Sequence, residues 1–189
     1  MTVPKVSQEH LDARREEILD GARRAFARYG YEGATVARLE EEIGVSRGAI
    51  FHYFPDKWSL FFELAARDQL ELLTMLLDEG IDATLRHLTT ENPDWMAVYM
   101  EVTRHLRRSP ELMDEFRKRG GHELQERVSA WLKALHAEGS FRSDVSLDDV
   151  VAFINIVANG AALARALRLE LDPDALVKLV HTGIDPLRQ

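Results

Sequence analysis

Residues 35–57 read TVARLEEEIGVSRGAIFHYFPDK, and they predict two short helices separated by a tight turn. Thr35 is a suitable N-cap for the first helix, and Gly44 is a suitable residue to end it. Ser46 can cap the second helix, and Pro55 stops it after about two turns because proline cannot continue a helix interior. A helix, a glycine-containing turn and a short second helix form a helix-turn-helix, whose second helix enters the major groove of DNA.

The second helix divides into an anchoring face and an exposed face. Ile50 and Phe54 stand four residues apart, so helical rotation places them on one side, where we expect them to pack against the preceding helices. The positions left for solvent or DNA are Arg47, Gly48, Phe51, His52 and Tyr53. Asp56 begins a further helix, predicted from Lys57 to Leu77.

The rest of the chain is also predicted to be helical, since no segment shows sustained strand alternation. The first helix is predicted from Leu11 to Tyr29, where apolar residues recur at spacings of three and four, and Gly30 supplies its stop. The sequence therefore predicts an all-α protein. It comprises an N-terminal three-helix helix-turn-helix DNA-binding domain, residues 1–57, and a C-terminal helical ligand-binding and dimerisation domain, residues 58–189.

The composition limits the class of protein. The chain has 189 residues, of which 46% are hydrophobic, enough for one large core or two small ones, and the absence of cysteine excludes disulfides and thiolate zinc sites. A net charge of −8 would disfavour DNA binding if it were spread evenly over the chain. The first 60 residues are close to neutral, so the charge does not exclude DNA binding by the N-terminal helices. No signal peptide and no apolar run long enough to cross a bilayer is recognised, which predicts a cytoplasmic protein without a membrane partner.

The run from Ile18 to Leu60 resembles the DNA-binding domain of the TetR family of transcriptional repressors. The residues that carry the resemblance are GARRAFARYGYEGATVARLEEEIGVSRGAIFHYFPDKWSLF, with the glycine turn, the Gly-Val-Ser turn, the aromatic-rich helix and the Pro-Asp-Lys exit in matching register. Within the family, RLEEEIGVSRGAIFHYF is most similar to actinobacterial repressors of the aconitase-repressor type. The remaining two thirds of the chain fits the family in being helical and of suitable length.

The resemblance implies which residues contact DNA. Thr35 matches the threonine whose helix N-terminus binds phosphate, as the helix dipole favours. Tyr53 and Lys57 match positions that contact the DNA backbone. Arg47, Gly48 and His52 match positions that approach base edges, and the planar guanidinium of Arg47 fits guanine. The DNA-binding set is Thr35, Ser46, Arg47, Gly48, His52, Tyr53 and Lys57.

Two positions depart from the family pattern. Phe51 replaces a frequent tyrosine and so lacks a hydroxyl that would bond a phosphate, although a van der Waals contact remains available. Glu40 stands where the family usually has a small alanine between the two helices. Its carboxylate needs a partner, for which Arg47 or Arg38 is a candidate.

A homodimer is expected because one short helix reads only a few base pairs, whereas two half-sites add their energies. The segment Leu147–Leu169 is apolar on most of its circumference, which favours burial on two sides, and the helix starting at Pro173 would join it in a four-helix bundle with a second copy. The alternative is that the long helix is only this chain's own core. The predicted dimer residues are Ile154, Val157, Ala158, Ala161, Ala162, Leu176 and Val180.

The middle region, residues 80–139, is predicted to bind a small-molecule effector. Aromatic walls and polar contacts are assigned to Trp95, Tyr99, Arg104, His105, His122, Trp131, Asn155 and Asn159. Glu101 and His105 share a helix face, but two ligands without a third do not make a metal site, so neither metal nor cofactor is predicted. The aconitase-repressor likeness would imply a tricarboxylate with a metal ion. We do not transfer this effector, because the last helix carries Val180, His181 and Thr182, and Trp131 lies on a helix where that subgroup tends to carry arginine.

The expected function is that of a ligand-responsive homodimeric repressor that binds a palindromic operator in double-stranded DNA. An enzyme is not predicted, because the sequence has no nucleophile motif, phosphate-binding glycine loop or complete metal set. The alternative is a helical protein-interaction module without sequence-specific DNA binding, which the acidic C-terminal region would also fit.

Overall fold

The computed structural model describes residues 8–90, 98, 100, 110–111, 114 and 122–186, and the secondary structure of these residues is helical. The continuous helices are α1 Gln8–Gly33, α2 Val36–Ile43, α3 Arg47–Tyr53, α4 Lys57–Asp78, α5 Gly80–Thr90, α6 His122–Ala137, α7 Leu147–Ala166 and α8 Pro173–Ile184. The predicted all-α class is confirmed. The predicted starts of α4 at Lys57 and of α8 at Pro173 are also confirmed.

α1 begins earlier than predicted, at Gln8, and its backbone breaks at the predicted stop. It runs from Gln8 to Gly33, but the backbone at Gly30 leaves the helical region with φ 70° and ψ 172°. The expected stop at Gly30 is therefore a break in direction, after which a last turn continues to Gly33. Glycine suits this position because a side chain would strain a positive φ.

The N-terminal helices share one core with the first half of α4. Ile18, Phe26, Leu39 and Ile50 are fully buried, and Leu60 and Phe61 of α4 are buried among them. Aromatic rings of this core meet edge to face, with 5.7 Å between the ring centroids of Phe26 and Phe61. The N-terminal core thus continues beyond Lys57, because the start of α4 closes it.

α1 and α2 approach closely at Gly21. A Cβ atom added there would lie 2.7 Å from both the Cα and the Cγ1 of Ile43. Glycine is required at this crossing because the space for a methyl group is already occupied by the last residue of α2.

A second core is formed by the helices after α4. Leu85 of α5, Val128 and Leu132 of α6, and Val150 of α7 are buried together with the apolar face of α8, which includes Val177, Val180 and Ile184. His181 of α8 ties this core to α5, since its Nε2 lies 2.7 Å from Asp82 Oδ1 and its Nδ1 lies 2.8 Å from Asp185 Oδ1. Hydrogen bonds with Asp185 and Asp82 raise the pKa of His181.

α7 is the most apolar of the described helices. The sequence was expected to hold no apolar run long enough to cross a bilayer, but α7, with 20 residues and a mean hydropathy of 1.5, reaches that length and composition, alone among the described residues. One side of it is buried within the same chain, with Val150 in the second core and with Ala161 and Ala162 each 4% exposed. Core helices of water-soluble proteins can have the same composition, and α7 contacts α5 and α8 as such a helix does.

Candidate DNA-binding surface and effector cavity

The turn between α2 and α3 is formed by the capping residues that the sequence indicates. Thr35 Oγ1 accepts a hydrogen bond from Arg38 N at 3.4 Å, and Ser46 Oγ accepts one from Ala49 N at 3.4 Å. Gly44 ends α2 in the left-handed conformation, with φ 79°, and its N–H donates to the Glu40 carbonyl at 2.9 Å. The predicted helix-turn-helix is confirmed.

α3 presents the expected anchoring face and exposed face. Ile50 is fully buried and Phe54 is 2% exposed, so both hold α3 against α1, α2 and α4. Arg47, Gly48 and His52 are exposed, whereas Phe51 and Tyr53 are half-buried at the edge of the core. The structure therefore brings the predicted base-reading positions together on one open surface of α3.

Glu40 is satisfied in a way that sequence reasoning missed. Its Oε1 accepts a hydrogen bond from the backbone N–H of Arg47 at 2.5 Å, not from a guanidinium as expected. Arg38, the other candidate partner, instead donates to the Gly33 carbonyl at 2.9 Å and lies over the Tyr29 ring. Glu40 thus fixes the first residue of α3 to α2 through the backbone of Arg47.

Phe51 supports the same arginine. The guanidinium carbon of Arg47 lies 5.8 Å from the centroid of the Phe51 ring, within the range of a cation–π contact. Replacement of the family's tyrosine by phenylalanine therefore keeps an aromatic face beside Arg47 while removing a hydroxyl. The spacing of these residues at i and i+4 was the signal in the sequence that could have indicated this contact.

Tyr53 is the last residue of α3 and Lys57 is the first residue of α4, with Pro55 between them. Lys57 Nζ donates to the Tyr31 carbonyl at 2.8 Å and lies 4.3 Å from the centroid of the Tyr31 ring. Burial raises the pKa of Tyr31, so this phenol stays neutral beside Lys57. The ammonium group is thereby held near the end of α1. Its predicted phosphate contact stays a prediction, as does that of Thr35, whose residue is exposed at the start of α2.

Three ion pairs connect α1 to α4. Arg15 Nη1 lies 3.0 Å from Glu63 Oε1, Arg23 holds both carboxylate oxygens of Asp68, and Arg67 holds both oxygens of Glu16. The Arg15 and Arg67 guanidinium groups hold the pKa values of Glu63 and Glu16, respectively, below the usual range. These ion pairs fix the first half of α4 against α1.

A cavity of about 340 Å³ lies beside this connection, between α4, α5 and α7. Its polar lining residues are Asp68, Gln69, Thr84, Asn155 and Asn159, and its apolar lining includes Leu72, Leu76, Leu88, Met100 and Ala162. A second cavity of about 290 Å³ adjoins it toward α6 and shares Gln69, Leu73, Leu76, Ile81, Ile154 and Asn155. An apolar cavity with a few polar side chains is typical of a small-molecule site.

The predicted effector residues are only partly placed at this cavity. Asn155 and Asn159 line it. Trp131 instead packs against the second core. The predicted contacts Trp95, Tyr99, Arg104 and His105 lie outside the described residues, and so does the side chain of His122. Sequence reasoning missed Asp68 and Gln69, because on their own they look like ordinary polar positions of α4.

The predicted dimer residues face mostly inward. Ala161 and Ala162 are each 4% exposed and Val180 is 1% exposed, so they pack within this chain. Ile154, Val157 and Ala158 are half-buried against the second core, and Leu176 is half-buried on α8. The apolar side chains that the described structure leaves exposed on α7 and α8 are different ones: Phe153, Ile156, Leu163 and Leu179, with Leu167 just after α7. We call these five residues the outer apolar face.

The comparisons with known proteins agree with this architecture. Residues 18–64 match the bacterial regulatory proteins of the tetR family, and residues 75–189 match the C-terminal domain of BetI-type transcriptional repressors. The HTH-type transcriptional repressor Rv1474c of Mycobacterium tuberculosis is 41% identical over 189 residues, which cover 99% of this chain and 100% of the relative. The HTH-type transcriptional repressor AcnR of Corynebacterium diphtheriae is 40% identical over 163 residues, which cover 84% of each chain.

Solved structures share the fold at low sequence identity. Salmonella enterica GusR has a TM-score of 0.71 at 19% identity, covering 94% of this chain and 97% of its own. A TetR transcription regulator from Haloarcula marismortui has a TM-score of 0.69 at 21% identity, covering 91% and 95%. The resemblance of residues 18–60 to the TetR family is confirmed by the family match over residues 18–64, and the match over residues 75–189 extends it to the C-terminal helices. The protein belongs to the TetR family of bacterial regulatory proteins and is a helix-turn-helix transcriptional repressor, not an enzyme.

Proposed function

We propose that this repressor acts as a cytoplasmic homodimer that binds a palindromic operator through α3 and changes its DNA affinity when a small molecule occupies the cavity between α4, α5 and α7. The observation that carries the DNA-binding part is the exposed surface of α3, where Arg47, Gly48 and His52 stand opposite the buried anchors Ile50 and Phe54. Exposed donors on a rigidly anchored helix suit base recognition in the major groove.

An electrophoretic mobility shift with fragmented genomic DNA from the source organism tests this function. A few fragments should shift in an excess of unrelated competitor DNA at moderate salt, because base contacts add to the non-specific phosphate term. If the folded protein shifts every fragment alike or none, sequence-specific repression is wrong, and a helical interaction module becomes the better reading.

Lys57 supports the proposal by its position at the start of α4, beside the end of α3. Its ammonium group lies 2.8 Å from the Tyr31 carbonyl, and this hydrogen bond fixes a positive charge beside the exposed surface of α3. A positive charge beside the recognition helix can contact a DNA phosphate. Phosphate contacts set the register of the protein on the duplex without selecting bases.

Lys57→Ala is therefore expected to weaken binding to all DNA sequences alike. The slope of log affinity against log salt concentration should fall by about one for each subunit, since one phosphate contact per subunit is lost. Fluorescence anisotropy at several salt concentrations measures this slope. Lys133→Ala, an exposed position on α6, is the matched control, and an unchanged slope in Lys57→Ala would show that Lys57 makes no phosphate contact.

The outer apolar face supports the homodimer. Ile156 is 70% exposed, Leu179 is 67% exposed, and Leu163 and Phe153 adjoin them on α7. Exposed apolar side chains on two neighbouring helices lose contact with water when a second copy covers them, and two helices from each copy form a four-helix bundle. The dimer would place two α3 helices at half-sites about 34 Å apart on one side of the duplex.

The connection between α1 and α4 supports ligand response. Asp68 lines the cavity and also pairs with Arg23 of α1, so one residue contacts both the effector site and the DNA-binding helices. A ligand alters DNA binding only if it binds one arrangement of α4 more tightly than the other. In this proposal, occupancy changes the angle of α4, and the ion pairs carry that change to α1.

Asp68→Asn should weaken DNA binding in the absence of any ligand. The amide keeps the shape of the side chain but removes the charge that holds Arg23, so the arrangement of α1 and α4 is less well defined. We expect a loss of about two- to tenfold in affinity, because a partly exposed pair contributes on the order of 1 kcal/mol. Anisotropy with a selected operator duplex measures it. Asp78→Asn at the exposed end of α4 is the control, and equal affinity of Asp68→Asn and the unaltered protein would refute the coupling role.

A further inference from the structure

The first turn of α3 has no fully buried apolar side chain of its own. Arg47 and Gly48 are exposed, and Ala49 is half-buried. The buried anchors of α3 come later, Ile50 at its middle and Phe54 just after its end. The N-terminal residues of a recognition helix are the ones that approach base edges. Apolar packing therefore holds α3 less firmly at the end that approaches DNA than at the other end.

Two hydrogen bonds hold this first turn instead. The first N–H groups of any helix have no partner within the helix, so other groups must accept from them. Ser46 Oγ accepts from Ala49 N at 3.4 Å, and Glu40 Oε1 accepts from Arg47 N at 2.5 Å. The second bond is the shorter, and a carboxylate is a stronger acceptor than a hydroxyl. Because Glu40 belongs to α2, its bond fixes the position of α3 as well as its first turn.

Glu40 acts from a helix that is itself firmly joined to α1. Leu39, its neighbour on α2, is fully buried in the N-terminal core. The Glu42 carbonyl accepts a hydrogen bond from Arg24 at 2.9 Å, and Glu42 Oε1 accepts one from Arg28 at 2.8 Å. The bond from Glu40 therefore ties the start of α3 to the joined pair of α1 and α2.

Arg47 is held both at its main chain and beside its guanidinium group. Glu40 binds the backbone N–H of Arg47, and the guanidinium carbon lies 5.8 Å from the centroid of the Phe51 ring. A long side chain reaches both acceptors of one guanine only if its Cα is correctly placed, and recognition geometry of this kind tolerates errors of about 0.5 Å. Glu40 sets where the arginine begins, and Phe51 limits where it points.

We propose that Glu40 is a positioning residue for base recognition, which fixes the backbone of Arg47 and so raises discrimination at the base pair that Arg47 reads. A carboxylate near a DNA-binding helix repels phosphates, so Glu40 does not raise affinity for DNA in general. Glu40 thus favours specific over non-specific binding, the ratio on which a repressor depends among many competing sites. This inference rests on the proposed function, in which α3 reads an operator.

Glu40→Ala tests this role by fluorescence anisotropy with three duplexes. The first is the operator selected by the unaltered protein, the second differs from it only at the base pair whose preference depends on Arg47, and the third is unrelated DNA. The ratio of the dissociation constants for the second and first duplexes should fall about three- to tenfold, because Arg47 loses its fixed position. Affinity for the unrelated duplex should not fall, whereas a partly unfolded variant would bind all three more weakly. An unchanged ratio would overturn the inference.

Two further variants separate the hydrogen bond from the charge. Glu41→Ala removes the same charge from an exposed position of α2 and should keep the ratio of the unaltered protein. Glu40→Gln keeps an acceptor oxygen, which the amide turns toward Arg47 because a backbone N–H can only donate. Its ratio should lie between those of Glu40→Ala and the unaltered protein. A ratio as low as that of Glu40→Ala, in either of these two variants, would overturn the role of the hydrogen bond.

A double variant shows whether Glu40 acts through Arg47. In Arg47→Ala protein, the addition of Glu40→Ala should leave the ratio unchanged, since the side chain that Glu40 positions is already gone. A further fall as large as the one in the unaltered protein would mean that Glu40 affects base preference by another route, and would overturn the inference.

The outcomes separate this inference from the proposed function. If the unaltered protein prefers no duplex, operator binding is wrong and the inference fails with it. If an operator is found but no base pair depends on Arg47, or Glu40→Ala discriminates as well as the unaltered protein, only the inference is overturned. Glu40→Gln keeps the size of the side chain, so its comparison with Glu41→Ala decides the question even if Glu40→Ala does not fold.

Discussion

Ile156→Glu should convert the homodimer into a monomer and lower operator affinity by at least about 100-fold, because binding one half-site forfeits the contacts of the second. Ile156 is 70% exposed on α7, in the middle of the outer apolar face, so the substitution does not disturb this chain's own core. In a dimer the new carboxylate would be buried without a partner, and an uncompensated buried charge costs several kcal/mol. Sedimentation velocity gives the mass, and anisotropy gives the affinity.

The control for this substitution is Ile156→Leu, which keeps the apolar surface and should remain dimeric. Leu179→Glu, at a position 67% exposed on α8, should repeat the effect of Ile156→Glu from the neighbouring helix. Thermal unfolding of each isolated monomer shows whether the second core is intact. A fully dimeric Ile156→Glu protein at micromolar concentration would contradict the placement of the dimer interface on α7 and α8.

Gly21→Ala should destabilise the DNA-binding helices. The added Cβ would lie 2.7 Å from the Cα of Ile43, and a backbone atom can give way only if α2 moves away from α1. Overpacking of this kind costs about 1–3 kcal/mol, which corresponds to a fall of several degrees in the unfolding temperature. Differential scanning calorimetry measures the shift, and DNA affinity should fall with it because α2 carries the turn that positions α3.

Gly48→Ala is the matched control for stability. A Cβ at Gly48 meets no atom within 4 Å, and alanine is the better helix former, so the unfolding temperature should stay the same or rise. If Gly21→Ala unfolds at the temperature of the unaltered protein, the close approach of α1 and α2 at Gly21 is wrong.

The helix-turn-helix could be predicted from the sequence because its determinants are local. Thr35, Gly44 and Ser46 define caps and a turn within a few residues, and Ile50 and Phe54 define an anchored face through helical spacing alone. The buried state of Ile50 and the exposed state of Arg47 follow from that spacing. The boundaries of α2, α3 and α4 were predictable for the same reason.

The partner of Glu40 could not be predicted, because it depends on the angle between α2 and α3. Charge suggested a guanidinium, whereas the turn brings the Arg47 N–H to 2.5 Å from the carboxylate. A side chain seven residues earlier in the chain therefore acts as a second cap for α3. Local patterns name candidate charges but not the backbone atoms that a turn presents to them.

The cavity and the outer apolar face were only partly predictable, since both depend on which side of an apolar helix meets its own chain. α7 is apolar nearly all round, so its sequence does not separate the buried Ala161 and Ala162 from the exposed Ile156 and Leu163. The packing of α5 and α8 on one side of α7 decides that division. Asn155 and Asn159 stand out in the sequence because they are polar residues on an otherwise apolar helix. Gln69 and Asp68 do not stand out, because α4 carries other polar residues around them.

Binding selection from random duplex DNA, made in parallel with the unaltered protein and with Arg47→Ala, tests most directly whether α3 reads an operator as a dimer. The unaltered protein should enrich an inverted repeat with half-sites about one helical turn apart or a multiple of it. Arg47→Ala should enrich the same repeat with the preference relaxed at one base position in each half-site, at a cost of about 1–3 kcal/mol per contact. Enrichment of no inverted repeat, or an identical motif from both proteins, would contradict sequence reading by Arg47 on α3.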